Sequence, residues 1–293
     1  MNANEKKARP CCLSIAGSDC GGNAGLQADL RTFHCHGLHG CTVVAALTAQ
    51  NPFGVSAIHA VPPDFVAAQL DAVLGVYNIR AAKTGMLPDA AVVETVADRL
   101  SRRKEIAKVV DPVMVATSGA ELSSNSAVAA LAKSLLPIAT LITPNIPEAE
   151  TLSGAKAGDG SRKDAAYAKD LSKRLYETFG CAVLVKGGHG DGEEAVDVLC
   201  DKDGCEEFSL PWVGNPVSTH GTGCSLAAAI AAELALGRDV REAVWNAKRY
   251  VRSAIANAFP VGPGCGTLGF AQPGGGSGYP HVNPDLPCES QAL

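Results

Sequence analysis

Short apolar runs alternate with amphipathic helical stretches along most of this chain, and that alternation constrains the fold more than any other feature. Runs at 11–16, 41–47, 81–83, 106–110, 140–143 and 182–186 are apolar, the pattern of strands buried on both faces. Between them, 62–76, 88–103, 124–135 and 162–179 carry helical periodicity. Two of these have Pro near the first turn, where a missing N–H costs nothing. Strands and helices in this order imply an α/β fold, a central, mainly parallel sheet with helices on both faces. Segments 194–200 and 206–210 then flank Asp201-Lys202-Asp203-Gly204, a hairpin signal that ends the sheet in a C-terminal antiparallel strand pair. Helices over 222–236 and 240–258 close the fold. One domain is expected over 10–270, after a short extension at 1–9. The Pro/Gly-rich stretch 271–293 cannot bury a core and is expected to be a disordered tail.

The chain has 293 residues, 46% hydrophobic and 19% charged, within the range of a globular α/β enzyme with one core. A net charge of −5 without a basic tract argues against nucleic acid as a partner. The N-terminus lacks the apolar segment of a signal peptide. The apolar stretch 226–236 carries Glu233 and is too short for a bilayer, so no membrane role is expected. Eleven cysteines without a C-x-x-C pair fit a cytoplasmic protein whose thiols are reduced and mostly packed as small core residues.

In open sheets of this kind ligands sit beyond the carboxyl ends of the strands, and polar residues follow six of the expected strands. The most chemical stretch is Ser218-Thr219-His220-Gly221-Thr222-Gly223-Cys224-Ser225, opening onto an apolar helix. The first N–H groups of such a helix lack intrahelical acceptors, and its dipole favours negative charge. Gly221 and Gly223 let an anion approach the backbone. The run therefore suggests an anion hole for a phosphoryl group in transfer, against the plainer reading of a Gly-rich helix cap. A Cys–His nucleophilic pair is the less economical alternative. Gly264-Cys-Gly-Thr-Leu-Gly269 matches G-x-G-x-x-G without a strand before or a helix after it, so no dinucleotide site is read there. The cluster His34, Cys35, His36, His39 and Cys41 is read as a helix end rather than a metal site.

Seven ordered motifs carry a resemblance: Ala16-Gly17-Ser18-Asp19 with Ala24-Gly25-Leu26-Gln27-Ala28-Asp29, Ala49-Gln50-Asn51, Lys83-Thr84-Gly85-Met86-Leu87, Asp111-Pro112-Val113-Met114, Thr143-Pro144-Asn145 with Glu148, Lys186-Gly187-Gly188-His189, and His220-Gly-Thr-Gly-Cys224. From about Pro10 to Phe270 the chain resembles the hydroxymethylpyrimidine/phosphomethylpyrimidine kinases of thiamine biosynthesis, in the ribokinase-like superfamily. The resemblance implies a ribokinase-like three-layer fold and ATP, with Mg²⁺, as phosphoryl donor. It implies two acceptors, 4-amino-5-hydroxymethyl-2-methylpyrimidine and then its monophosphate.

On that footing the side-chain amide of Gln50 suits the donor–acceptor edge of an aminopyrimidine. Met86, Val113 and Ala16 would sleeve the ring, and Asp29 joins the substrate group. Asn145, Lys186 and Thr222 fall to the nucleotide and its phosphates. Glu148 and Asp111 fall to Mg²⁺, through water. Gly221, Thr222, Gly223 and Cys224 form the catalytic group. Sugar kinases of the superfamily place Asp where this chain has Cys224, a thiol whose pKa the helix start is expected to lower. Departures from the family pattern are Gly21 and Asn23, where Asn is expected to tolerate a positive φ, and the closing Gly262-Pro-Gly-Cys-Gly266, which lacks the usual Lys. A pyridoxal kinase and a non-catalytic pyrimidine-binding protein are the alternatives, and a homodimer is expected.

Overall fold

Strand β1 (Cys11–Asp19) is buried along almost its whole length, and the fold grows outward from it. The computed structural model describes residues 9–115, 119, 122–155, 164–187 and 194–270. After β1 come α1 (Gly25–Cys35), β2 (His39–Asn51), β3 (Gly54–Ala60), α2 (Pro63–Leu74), β4 (Ile79–Thr84), α3 (Ala90–Ser101) and β5 (Ala107–Val110). The second half comprises α4 (Asn125–Ala130), β6 (Leu141–Ile142), α5 (Ile146–Ser153), α6 (Ala165–Phe179), β7 (Ala182–Lys186), β8 (Glu194–Asp201) and β9 (Gly204–Pro211). Helices α7 (Thr222–Ala235) and α8 (Val240–Ala256) and a small hairpin, β10 (Phe259–Gly262) with β11 (Cys265–Thr267), follow.

Nine strands form one sheet in the order β3-β2-β1-β4-β5-β6-β7-β8-β9. From β2 through β7 neighbouring strands run parallel. The outer pairs β2–β3, β7–β8 and β8–β9 are antiparallel. Successive strand residues point to opposite faces, and each face buries its own core. Leu13, Ile15, Val43, Val183 and Val185 pack with Val66 and Leu70 of α2, Val92 and Val96 of α3 and Leu171 and Leu175 of α6. Cys12, Ala81, Val109, Leu141 and Leu184 face Phe33 of α1, the Ala-rich α7 and Ala243, Val244 and Ala247 of α8. This is the three-layer arrangement that the alternation implied.

Local capping follows the sequence. Asp89, Ser124, Asn145, Asp164 and Asp239 each accept a backbone N–H at the start of a helix, which satisfies a donor the helix cannot. Three expectations need correction. Strand β3 was not expected, because its outer half is exposed and carries no buried alternation. The helix expected over 124–135 is α4, followed by a π turn over Leu131–Leu135 and a 3-10 turn over Leu136–Ile138; Pro137 has no N–H and disrupts the regular ladder. Cys200 and Cys205, directly opposed on β8 and β9, form a disulfide where reduced thiols were expected. Residues 1–8, the tail 271–293, and Gly188 and His189 lie outside the described residues. No helix among those described is long and apolar enough to cross a membrane.

Candidate active site

Strand order reverses beside β1. The chain steps outward from β1 to β2 and β3, then returns to place β4 on the other side of β1. In parallel sheets such a reversal opens a crevice at the carboxyl ends, because the flanking connections leave in opposite directions. Here the start of α7 projects into that crevice. Gly221, with φ 87°, caps the helix. A Cβ on it would lie 1.9 Å from the Asn23 carbonyl oxygen, so only glycine lets the 219–223 turn lie backbone to backbone against the 19–25 turn. The Thr222 N–H donates to Thr219 O, and the Ser225 N–H is the first to reach back, to Gly221 O at 2.9 Å. The N–H groups of Gly223 and Cys224 thus start the helix without intrahelical acceptors.

A cavity of about 740 Å³ runs past these groups. On the β2-β1-β4-β5 side of the sheet it is lined by Ala16, Gln50, Met86 and Val113, and on the β9 side, with α8, by Leu210, Trp212, Val213, Val251 and Ile255. Asp19 shapes the first side, its carboxylate accepting the N–H groups of Gly21, Asn23 and Ala24 at 2.8–2.9 Å. Gly17 beside it leaves room for Met86, whose Sδ would lie 2.8 Å from a Cβ placed there and would have to shift. The Gln50 Oε1 accepts from Thr48 at 3.2 Å, and Gln50 Nε2 lies 3.5 Å from His220 Nε2.

Charge concentrates beneath the α7 start. Lys83, on β4, points from the cavity floor to Asp29 on α1, with Nζ 2.8 and 3.0 Å from the two carboxylate oxygens. Both side chains are fully buried. Burial alone would depress the Lys83 ammonium, yet Asp29, helped by Asp111, holds it above its ordinary value. Next to it, Lys186 at the end of β7 donates to Asp111 Oδ1 at 2.8 Å, which also accepts from Thr143. A Cβ on Gly223 would stand 3.7 Å from Lys186 Nζ, so this ammonium lies under the helix start. Asn145 and Glu148 form a capping box at α5. Burial, with the nearby Asp111 charge, pushes Glu148 up to about 7, although Lys186 pulls it down.

The structure brings Ala16, Gln50, Met86, Asp111, Val113, Asn145, Glu148, Lys186, Gly221, Thr222, Gly223 and Cys224 to one cavity. Asp29 is the exception. It lies below the cavity wall, tied to Lys83 and to the Ser14 hydroxyl, and reaches the site through Lys83. The expected positive φ at Asn23 falls instead on Gly22 and Gly25. The Cys224 thiol is also corrected: burial pushes it up, outweighing the pull of Lys83, so it holds its proton at neutral pH. Sequence reasoning missed Lys83, Asp19 and His220, though all three stand inside the motifs quoted. It also missed Asp197 and Lys248, a buried ion pair at 2.6 Å on the cavity wall. Asp197 there also accepts the Gly187 N–H.

Comparison with known proteins bears on this geometry. Residues 19–269 match the phosphomethylpyrimidine kinase family model. Over 267 residues the chain is 43% identical to the hydroxymethylpyrimidine/phosphomethylpyrimidine kinase of Synechococcus elongatus, covering 90% of this chain and 98% of that protein. It is 47% identical over 260 residues to the thiamine biosynthesis bifunctional protein of Geobacter sulfurreducens; 89% of this chain spans about half, 52%, of that longer relative. Among solved structures, an ADP complex of Bacillus subtilis pyridoxal kinase superposes with a TM-score of 0.80 at 33% identity, covering 89% of this chain and 97% of that one. Its ribokinase-like architecture is the one described above. With a family match across nearly all the described residues, and the family's motifs gathered at one sheet edge, the chain belongs to the phosphomethylpyrimidine kinase family.

Proposed function

We propose that this protein transfers the terminal phosphoryl group of ATP to 4-amino-5-hydroxymethyl-2-methylpyrimidine and then to its monophosphate, in thiamine biosynthesis. The observation that carries the reading is the continuity of one cavity from Gln50 and Met86, past the free N–H groups of Gly223 and Cys224, to the apolar end at Trp212 and Ile255. A ring bound at the first end and a nucleoside at the second would meet at the α7 start. The ADP bound to the pyridoxal kinase relative supports a nucleotide in this role.

In this reading Gln50 pairs with the amino group and ring nitrogen of the acceptor, and Met86, Val113 and Ala16 close on its faces. The N–H groups of Gly223 and Cys224, backed by the helix dipole, receive the charge that develops on the phosphoryl oxygens. Thr222 and Asn145 border the phosphate path, and Lys186 offers it a positive point charge. Asp111 and Glu148 fit a divalent cation, since two carboxylates crowd one buried pocket and Glu148 is raised partly by its neighbour. Mg²⁺ held there through water would neutralise phosphate charge. Lys83, locked to Asp29, keeps a positive potential below Cys224.

Purified protein should release ADP with both pyrimidines as acceptors. A preference for pyridoxal would overturn the substrate, and no turnover on any hydroxymethyl heterocycle would leave a pyrimidine-binding protein. Replacing Gln50 with Leu should raise the pyrimidine KM by the equivalent of about 1–3 kcal/mol, because a dry pocket then leaves the ring edge unpaired. A cytoplasmic location, where ATP is available, is part of this proposal. We also propose a homodimer, tested by light scattering.

A further inference from the structure

Thr48, Gln50 and His220 form a chain in which one hydrogen decides the direction of the rest. The Thr48 hydroxyl lies 3.0 Å from Ser18 O and 3.2 Å from Gln50 Oε1, but it has a single proton to give. If that proton goes to Gln50 Oε1, the Gln50 amide nitrogen faces His220 Nε2, which must then be an unprotonated acceptor. If it goes to Ser18, the amide turns over. Its nitrogen then donates to Thr48, and its oxygen needs an N–H from His220. Both arrangements satisfy every member of the chain, and they present opposite donor–acceptor edges to a ring in the cavity.

We propose that His220 is the specificity-determining residue of this site: by accepting from Gln50 Nε2 it fixes the polarity of the Gln50 amide. The inference rests on the reading above that Gln50 meets the ring. With His220 as acceptor, Gln50 shows its oxygen on the Thr48 side and its nitrogen on the His220 side. An aminopyrimidine then has one orientation, amino group toward Oε1 and ring nitrogen toward Nε2, and its neighbouring hydroxymethyl group is aimed accordingly. With the amide reversed, the same ring must turn over and aim that group away, or lose both bonds. A 4-oxo analogue, whose edge carries a carbonyl and a ring N–H, suits the reversed amide instead. His220 is half-buried, and burial keeps its imidazole below its ordinary pKa, against the Asp19 carboxylate from β1. Its other titratable neighbour in the adjoining smaller cavity is the Cys265 thiol on β11, and the Cys20 thiol contacts the Gln50 backbone.

The test compares kcat/KM for the aminopyrimidine alcohol with that for its 4-oxo analogue. His220→Lys supplies only donors, so the amino-to-oxo ratio should fall about tenfold or more, mainly through KM. His220→Gln, which can still accept, should keep the wild-type ratio. Acidification from about pH 8 to 5.5 should lower the wild-type ratio and leave that of His220→Gln flat, and this arm stands even if His220→Lys does not fold. Unchanged ratios in both arms, while Gln50→Leu raises KM, would overturn the inference alone. If Gln50→Leu also leaves KM unchanged, the reading of Gln50 falls and takes this inference with it.

Discussion

Glu148 answers to two neighbours at once: it closes the α5 capping box with Asn145 and stands beside the Asp111 charge. Its carboxyl titrates near 7 in the folded protein against an ordinary 4.5. Between those values the unfolded chain gives up a proton that the folded one keeps, so stability falls as pH rises through this window and levels off above it. Glu148→Gln removes the proton while keeping an oxygen for the Asn145 N–H. Urea unfolding should show the variant gaining on wild type between pH 4.5 and 7, by about 1–3 kcal/mol at the upper end, and added Mg²⁺ should narrow the gap. A constant difference across that range would show that the carboxyl is not raised. Cys224 poses the converse question. A neutral thiol tolerates an anionic acceptor, whereas a carboxylate in a dry site repels it. Cys224→Asp should therefore spare phosphorylation of the alcohol and cripple that of the monophosphate; equal loss in both assays would mean that the thiol is there for packing. At this scale the motif residues were legible, but the Lys83–Asp29 pair was not. Its members lie 54 positions apart, and they meet only because β4 places Lys83 opposite Ser14 on β1 and α1 packs Asp29 over the same point.

Among the elements, the α7 start has the least tolerance. At Gly221 both a left-handed φ and a collision with Asn23 O stand against a side chain. Gly221→Ala should cost at least about 1–2 kcal/mol in thermal unfolding and lower kcat about 10²-fold with either acceptor, by displacing the N–H donors. Normal turnover with lowered stability would separate the turn from the chemistry. The β8–β9 disulfide has a different standing, since eight paired positions already hold that hairpin. Reduction should lower stability by about 2 kcal/mol or less and leave kinase activity in place, measured with and without a thiol reductant. The hairpin was legible from its Asp-Lys-Asp-Gly turn. Strand β3 was not, because an edge strand with an exposed outer half has no buried alternation to display. Strand β6 is only Leu141–Ile142, although Thr140 and Thr143 on its flanks still donate to Lys108 O and Val110 O of β5.

For the molecule as a whole, alternation along the chain was enough to imply a parallel sheet between two helical layers. The reversal of strand order beside β1 was not, because apolar runs carry no address for their neighbours. The layers also differ in when their parts exist. Helix α7 buries one face of β1, β4 and β5 through Leu226, Ala227, Ala228, Ile230 and Ala231, although those strands precede it by more than a hundred residues. During translation at about 5–20 residues per second, the face of β1 would wait roughly 10–40 s for its cover. Nascent chains arrested before Thr222 should thus remain protease-sensitive and bound by chaperones, while chains arrested beyond Ala256, with enough tether to clear the ribosome, should resist cleavage. The place of one alanine-rich helix, after all nine strands of the sheet, thereby makes burial of this face a step that must await synthesis of the whole sheet.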